Sequence, residues 1–518
     1  MTRPTFLGFE TGRKGLAVAQ KGLDITGHNL MNINTPGYTR QRVDQVSLSA
    51  YGYSNRYGGT KIDFAGQGVD MTGIYQTRNA YLDRRFREEY SDTSYYDQKL
   101  SILGDISAVV DEMAETGGGL MKAVNTISSA LQGLTVDKAN DRSYANILRT
   151  AFQGMVQTLH EYDNKLNKVA EQQKYDLSIS IGEVNRKLKE VAALNKQIMD
   201  EVAVDTSDTG FYGPNELLDE RNLLLDELAQ FGDLSVVEES DGTLTVSMGD
   251  RVVVEGDESD KLQYLEFSDG CVSLAWNSTG EEVKFNSGTL KASIEMINGR
   301  GPNLQTKHDS PEKGVLYYQD QLDTFARTLA DVMNNVLPNN LTEQGEPSSI
   351  EYKQLLGAVI TNESGKTVVT TQSGFVTAGN ITLSEEWAAQ VDYVFPSSTS
   401  ATNSQYFTKM NTLLTTNTAT EFYTHGQKFT GSFRDFVTDI YDTCVGEESY
   451  LMGRKEASAA ITDQLLDERD DISAVSKDEE TTNMMMYQRY FQAVSRMMTT
   501  MDEVLDVVIN KMGLVGRS

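Results

Sequence analysis

Apolar residues return every seven positions at both ends of this chain. Near the start, Phe9, Leu16, Leu23 and Leu30 share one register, with Ile33 just beyond. Near the finish, Tyr487, Val494, Met501 and Val508 form one register, and Phe491, Met498, Leu505 and Met512 a second, four residues on. A repeat of this period lays an apolar stripe along one side of a helix, and such a stripe needs a partner. The two ends are therefore expected to pair with each other, with neighbouring copies, or with both. Gly8, Gly15 and Gly22 recur at the same interval, with Gly12 and Gly27 besides. Each glycine costs a helix about 1 kcal/mol relative to alanine, so residues 5–34 make a poor helix alone. A shared glycine face lets another backbone approach closely; a frayed terminus is the plainer reading of the same residues.

The elements between follow from the same patterning. Pro36 disfavours helix at Thr35, and Pro36-Gly37 suits the centre of a type II turn, so the first helix stops there. Extended chain is expected over residues 38–49, then a Gly/Tyr/Ser loop over 50–60, a further extended piece punctuated by Gly66 and Gly68, and a helix over 78–114. Gly117, Gly118 and Gly119 mark a loop. Asp137 is the expected N-cap of a long helix reaching Val204, whose apolar seam runs through Leu177, Ile181, Val184, Leu188, Val191, Ile198 and Val202. Asn195 falls on that seam, where a polar residue either fixes register or faces solvent at an open stretch.

Asn215 begins a shorter helix, and then the period changes to two. Strands are expected at 234–237, 243–248 and 251–255, separated by Asp241-Gly242 and Gly249-Asp250, both good hairpin turns. Further strands are expected at 262–267, 271–276 and 282–285. Helices resume at 290–298 and 313–337. Residues 338–378 are rich in Asn, Thr, Ser and Gly and read as a short insertion or outer element; 384–425 is mixed and polar; and 431–512 is helical with a break near Ser473–Ser476.

Charge and candidate chemistry narrow the function. The 518 residues carry a formal net charge of −29, without the basic footprint a nucleic-acid binder needs. Cys271 and Cys444 are the two cysteines, too few for a disulfide framework or a cysteine zinc site, and are read as isolated residues. There is no transmembrane run of about 18 apolar residues, so no membrane insertion is expected, and Glu10, Arg13 and Lys14 interrupt any signal-peptide core. His160-Glu161 begins a zincin-like string, but Asn164 stands where the second histidine must be. Residues 205–216 mimic a calcium loop in Gly210 and Glu216, whereas Ser207 and Thr209 replace acids. No phosphate loop or nucleophile elbow occurs. The acidic pairs read as solvated helix faces. No catalytic residue, metal or cofactor is expected, although two distant carboxylates of an acidic secreted hydrolase with coiled-coil ends leave no sequence signature.

The segment His28-Asn29-Leu30-Met31-Asn32-Ile33-Asn34-Thr35-Pro36-Gly37-Tyr38-Thr39-Arg40-Gln41 resembles the N-terminal signature of bacterial flagellar axial proteins. His28 and Leu30-Met31 depart from it; Asn29, Asn32, Asn34, Pro36, Gly37 and Tyr38 match. Glu216–Asn222, followed by strands, and Ser473–Glu480, with Ala474 in place of a glycine, are similar to segments of the hook-associated protein 1 family, which forms the hook–filament junction. The resemblance covers roughly residues 1–100, 215–255, 315–337 and 430–512.

The expected fold is mainly α with a smaller antiparallel β portion: elongated, its terminal helices paired as a coiled coil, with a helical-bundle middle domain carrying a β-meander. Residues 1–40 and 475–518 would form the assembly domain, 41–337 and 379–474 the bundle with its meander at about 233–286, and 338–378 the outer element. The resemblance implies a non-enzymatic structural protein, exported through the flagellar type III channel without a cleaved signal peptide to the extracellular flagellum. It would polymerise with itself through the terminal helices and meet the hook protein and the second hook–filament junction protein, after a cytosolic export chaperone has held the C-terminal helix. Another axial protein (second junction protein, hook or rod) is the neighbouring reading. One helix pair is a marginal structure, because ordering backbone costs about 1–2 kcal/mol per residue; both ends are expected to be mobile in the free monomer and to fold on assembly.

Overall fold

The computed structural model describes residues 5–48, 68–114, 118–204, 211–239, 242–302, 306–339, 351–361, 366–416 and 420–511. The expected loop at 50–60, Gly66, Gly117, most of the calcium-like segment and Met512 lie outside them. By backbone contacts the chain divides into two units, 1–91 with 184–261 and 458–518, and 92–183 with 262–457. This division differs from the one expected from sequence, because the long helices contribute segments to both units.

The helices are α1 (Thr5–Met31), α2 (Ala80–Ala114), α3 (Gly119–Gly133), α4 (Arg142–Val204), α5 (Asn215–Ala229), α6 (Thr289–Ile297), α7 (Val315–Asn334), α8 (Glu385–Ala389), α9 (Ser400–Thr415), α10 (Phe433–Ser473) and α11 (Lys477–Asp506). The long helix begins at Arg142 rather than at Asp137. Residues 135–141 close into turns, with the Lys138 amide on the Thr135 carbonyl and the Asp141 amide on the Lys138 carbonyl. Asp141 is then the cap, its carboxylate accepting the Ser143 amide at 2.8 Å, which satisfies one of the free donors at a helix start.

In the first unit, β1 (Gln41–Ser47) pairs antiparallel with β2 (Val69–Gln76), and β3 (Phe211–Tyr212) joins β2 in parallel. Then β4 (Leu234–Glu238), β5 (Leu244–Met248), β6 (Arg251–Glu255) and β7 (Glu258–Ser259) make a four-stranded antiparallel sheet. Leu244, Val246 and Met248 alternate inward along β5, as a sheet with one covered face requires. Gly249 turns the β5–β6 hairpin at φ +64°, a conformation that glycine adopts without steric cost.

Asn195 is fully buried in this unit. Its amide nitrogen donates to the carbonyls of Leu244 at 2.8 Å and Gly256 at 2.9 Å, and its oxygen accepts from the Leu244 amide and Arg221 Nη1. The seam asparagine therefore fastens the sheet to α4. It neither faces solvent nor sets a helix–helix register.

In the second unit, β8 (Leu262–Glu266) pairs with β9 (Val272–Trp276), separately from β4–β7. The single meander expected at 233–286 is thus two sheets. Segments of α2, α4 and α10 join α3, α7 and α9 around an extensive apolar core. Within it Trp387 meets Phe152 edge-on at 5.3 Å, and Phe422 stacks on Phe436 at 4.2 Å. The described part of 338–378 packs into this core rather than standing outside it. β10 (Leu356–Thr361) lies between β11 (Thr367–Thr370) and β12 (Ile381–Leu383), and Leu355, Leu356, Ala358, Val376 and Ala378 are fully buried. Asn334, at the end of α7, accepts both the Leu355 and Leu356 amides and donates to the Leu356 carbonyl. The β13 (Thr420–Thr424) and β14 (Gln427–Gly431) hairpin completes the unit.

Candidate assembly interface

The first unit brings α1 and α11 together, antiparallel, along a line of small residues. A Cβ added at Gly8 would lie 2.6 Å from Met501, at Gly12 against Met498, at Gly15 3.2 Å from the Tyr490 hydroxyl, and at Gly22 2.6 Å from the Tyr487 ring. Gly8, Gly12, Gly15, Ala19, Gly22, Thr26 and Asn29 are all buried. They alternate four and three apart, the spacing of one helix face. The glycines that weaken α1 in isolation are therefore the face on which the large side chains of α11 lie.

The apolar residues that announced α1 sit beside this line. Phe9, Leu16 and Leu23 each follow a contact glycine by one residue, about 100° round the helix, and they and Leu30 are half-buried. Ile33 lies past the end of α1 and is exposed. On α11, Val494 is buried; Tyr487, Met498, Met501 and Leu505 are half-buried; Phe491 is exposed, as is Val508 just past its end. Met485, Met486, Val504, Val507 and Ile509 are exposed as well. The single pair thus leaves much of its apolar surface uncovered.

The signature turn is built around Asn29. Its Oδ1 accepts the Tyr38 hydroxyl at 2.7 Å and the Gln41 amide at 3.0 Å, while its Nδ2 donates to the Gln41 carbonyl at 2.8 Å. The Tyr38 amide closes the turn onto Thr35 O at 3.2 Å, with Gly37 at φ +76°, the left-handed position a type II turn demands. Asn32 finishes α1, its Nδ2 on the His28 carbonyl at 3.0 Å and its Oδ1 accepting from the Thr35 hydroxyl at 3.1 Å. His28 meets the Tyr38 ring edge-on at 5.6 Å. Asn34 and Pro36 are exposed.

Sequence patterning missed the residues that tie this turn to the rest of the unit. The Arg40 amide donates to Ser473 O at 2.9 Å, and its guanidinium reaches Glu480 and Glu479, each at 2.7 Å. Those acids open α11 behind the Ser476 cap, where the helix dipole favours negative charge. Asp219 of α5 accepts the Thr39 amide at 3.1 Å and Gln76 Nε2 at 2.8 Å through one oxygen, while its second oxygen is buried without a partner. Burial pushes its carboxyl up to about 6, against the hydrogen bonds from Thr39 and the charge of Arg78. No local period marks such pairs, since their members stand far apart in sequence.

Among the described residues there is no group of three or more His, Cys, Asp and Glu that would hold a metal ion, and no helix long and apolar enough to cross a membrane. Cys271 and Cys444 are free and buried.

Of two family matches, one falls on α11 and the other on the middle of the chain. Residues 106–349 match the family described as "Flagellar hook-associated protein FlgK helical domain", and residues 471–512 match "Flagellar basal body rod FlgEFG protein C-terminal". The flagellar hook-associated protein 1 of Bacillus subtilis (strain 168) is 28% identical over 99% of each chain. That of Escherichia coli (strain K12) is 23% identical over 96% of this chain and 98% of its own. The solved structure of the flagellar hook junction protein FlgK from Burkholderia pseudomallei superposes with a TM-score of 0.54 at 11% identity, covering 76% of this chain and all of that one; the likeness is one of fold. Family models, full-length relatives and fold together support likeness to flagellar hook-associated protein 1.

Proposed function

We propose that this chain is a structural protein of the junction between flagellar hook and filament, and that it polymerises through its terminal helix pair. The family is structural rather than enzymatic and belongs to the extracellular flagellum. The observation that carries the polymerisation step is the half-covered pair itself. The glycine face of α1 is filled by α11, yet Met485, Met486 and Val504 remain exposed along α11, and Val507 and Ile509 just past its end. Exposed apolar side chains in such number are covered by association, and further copies of the same pair supply apolar surface.

The segment 471–512 is shared with rod proteins, whereas 106–349 carries the likeness to hook-associated proteins. This favours the junction over rod or hook. The hook protein below and the second junction protein above are the proposed neighbours, and an export chaperone on the C-terminal helix is the proposed cytosolic partner. Export through the flagellar channel without a cleaved signal peptide is part of the same reading.

Deletion of residues 1–31 or 477–518 in the producing bacterium tests it. The expected phenotype is bare hooks, with filament subunits released into the medium. Normal filaments on either deletion strain refute the role.

A further inference from the structure

The first unit holds a cavity of ≈ 620 Å3 lined by Arg78, Arg84, Arg87 and Arg221, with Asp83 and Glu238 as its acids. A cluster of four arginines stands out in a chain of net charge −29. Their existing partners leave it unbalanced. Asp83 is taken by Arg78 at 3.0 Å. Arg87 holds Asp226 at 2.7 Å, and the same carboxylate also serves Arg469 at 2.6 Å.

Arg221 is the anomaly. Its residue is 2% exposed, yet no carboxylate among the described residues contacts it. Its Nη1 bonds two uncharged oxygens, Asn195 Oδ1 and Gly242 O, each at 2.9 Å, and its Nε is buried without a partner. Burial pulls its pKa down to about 10, partly opposed by Glu238 and reinforced by the charge of Arg87. A buried cation with no carboxylate in contact among the described residues is costly, and a guanidinium fork matches a carboxylate in bidentate geometry. Arg84 lies on the exposed rim, its side chain 60% accessible and 3.7 Å from Glu88, a surface pair that holds it weakly.

We propose that this cavity is a carboxylate-binding site, with buried Arg221 as its floor and Arg84 on its rim. The carboxylate comes either from an acidic side chain of a second copy of this chain or from a free small acid. The first source rests on the polymerisation reading; the site itself does not.

The test is calorimetric titration of the full-length monomer with sodium acetate, at constant ionic strength set by chloride. Saturable binding is expected, weakened several-fold by Arg84→Ala and abolished by Arg221→Lys, which keeps the charge and removes the fork. Absence of saturable binding to the wild type, or equal binding by both variants, overturns the proposal; if Arg221→Lys does not fold, Arg84→Ala alone decides. Polymerisation of the wild type in the presence of acetate then separates the sources. Inhibition that disappears in Arg84→Ala assigns the site to a second copy, and indifference to acetate assigns it to a free acid.

Discussion

Arg40, three residues beyond the Pro36-Gly37 turn, donates Nε to a Glu480 carboxylate 2.7 Å away whose side chain is 3% exposed. The ion pair joins the exit of the first helix to the entry of the last across nearly the whole chain. With the Arg40 amide bonded to Ser473 O, it fixes where α11 starts relative to α1, and so which glycine meets which methionine. Hydrogen bonds to charged groups contribute about 1.5–3 kcal/mol. Arg40→Ala is expected to lower the stability of the full chain by roughly that amount, read as a drop in urea midpoint at unchanged m. An unchanged midpoint would mean that the pair is incidental.

Two glycines of the same helix should respond oppositely to alanine. At Gly27 nothing lies within 4 Å of the added Cβ, so Gly27→Ala is expected to stabilise by up to about 1 kcal/mol through helix propensity. At Gly22 the Cβ falls 2.6 Å from the Tyr487 ring, and overpacking of this kind costs about 1–3 kcal/mol. Thermal melts of both variants check the contrast. Equal shifts would show that the α1–α11 approach is not tight at Gly22.

Asp219 makes a pH prediction with a definite sign. Its folded pKa, about 6, lies above the ordinary 3.8. The folded state therefore binds this proton more tightly than the unfolded one, and the group's contribution falls as pH rises from about 4 to 6. Asp219→Asn keeps an oxygen for the Thr39 amide and removes the charge. Its stability relative to wild type should improve steadily across that window and level off above it. A pH-independent difference in urea denaturation would contradict the assignment.

Asn195 is expected to be intolerant of an apolar replacement of similar size. Asn195→Leu leaves the Leu244 and Gly256 carbonyls, the Leu244 amide and Arg221 short of partners. Each buried group so stranded costs about 1–3 kcal/mol. A stability loss under 1 kcal/mol by denaturant titration would be the contrary result.

The terminal pair should exchange its amide hydrogens faster than the core of the second unit. Of the apolar seam on α11 only Val494 is buried, whereas Leu322, Phe325 and Leu329 on α7 are almost wholly so. Hydrogen exchange on the monomer reads this directly. Protection of residues 5–31 and 477–506 equal to that of 315–334 would remove the case for folding on assembly.

What the chain announced by itself were its periods and its punctuation. Local sterics set the type II turn, because Pro36 presets one dihedral and Gly37 accepts the positive one. The hairpins around Gly242 and Gly249 and the break before Ser476 are equally local. The heptads at 8–30 and 487–508 were legible too, and with them the presence of two faces on α1. Which of those faces α11 covers is a tertiary matter. The glycines buy close approach, so the small residues took the contact and left Leu16 and Leu23 half-buried beside it. Asn195, Arg40 and Asp219 could not be placed from sequence, since their partners lie 26 to 440 positions away and no periodicity records a hydrogen bond between elements. The division of the expected meander into two sheets is of the same kind: alternation reports that a strand has one covered face, and only packing decides what covers it.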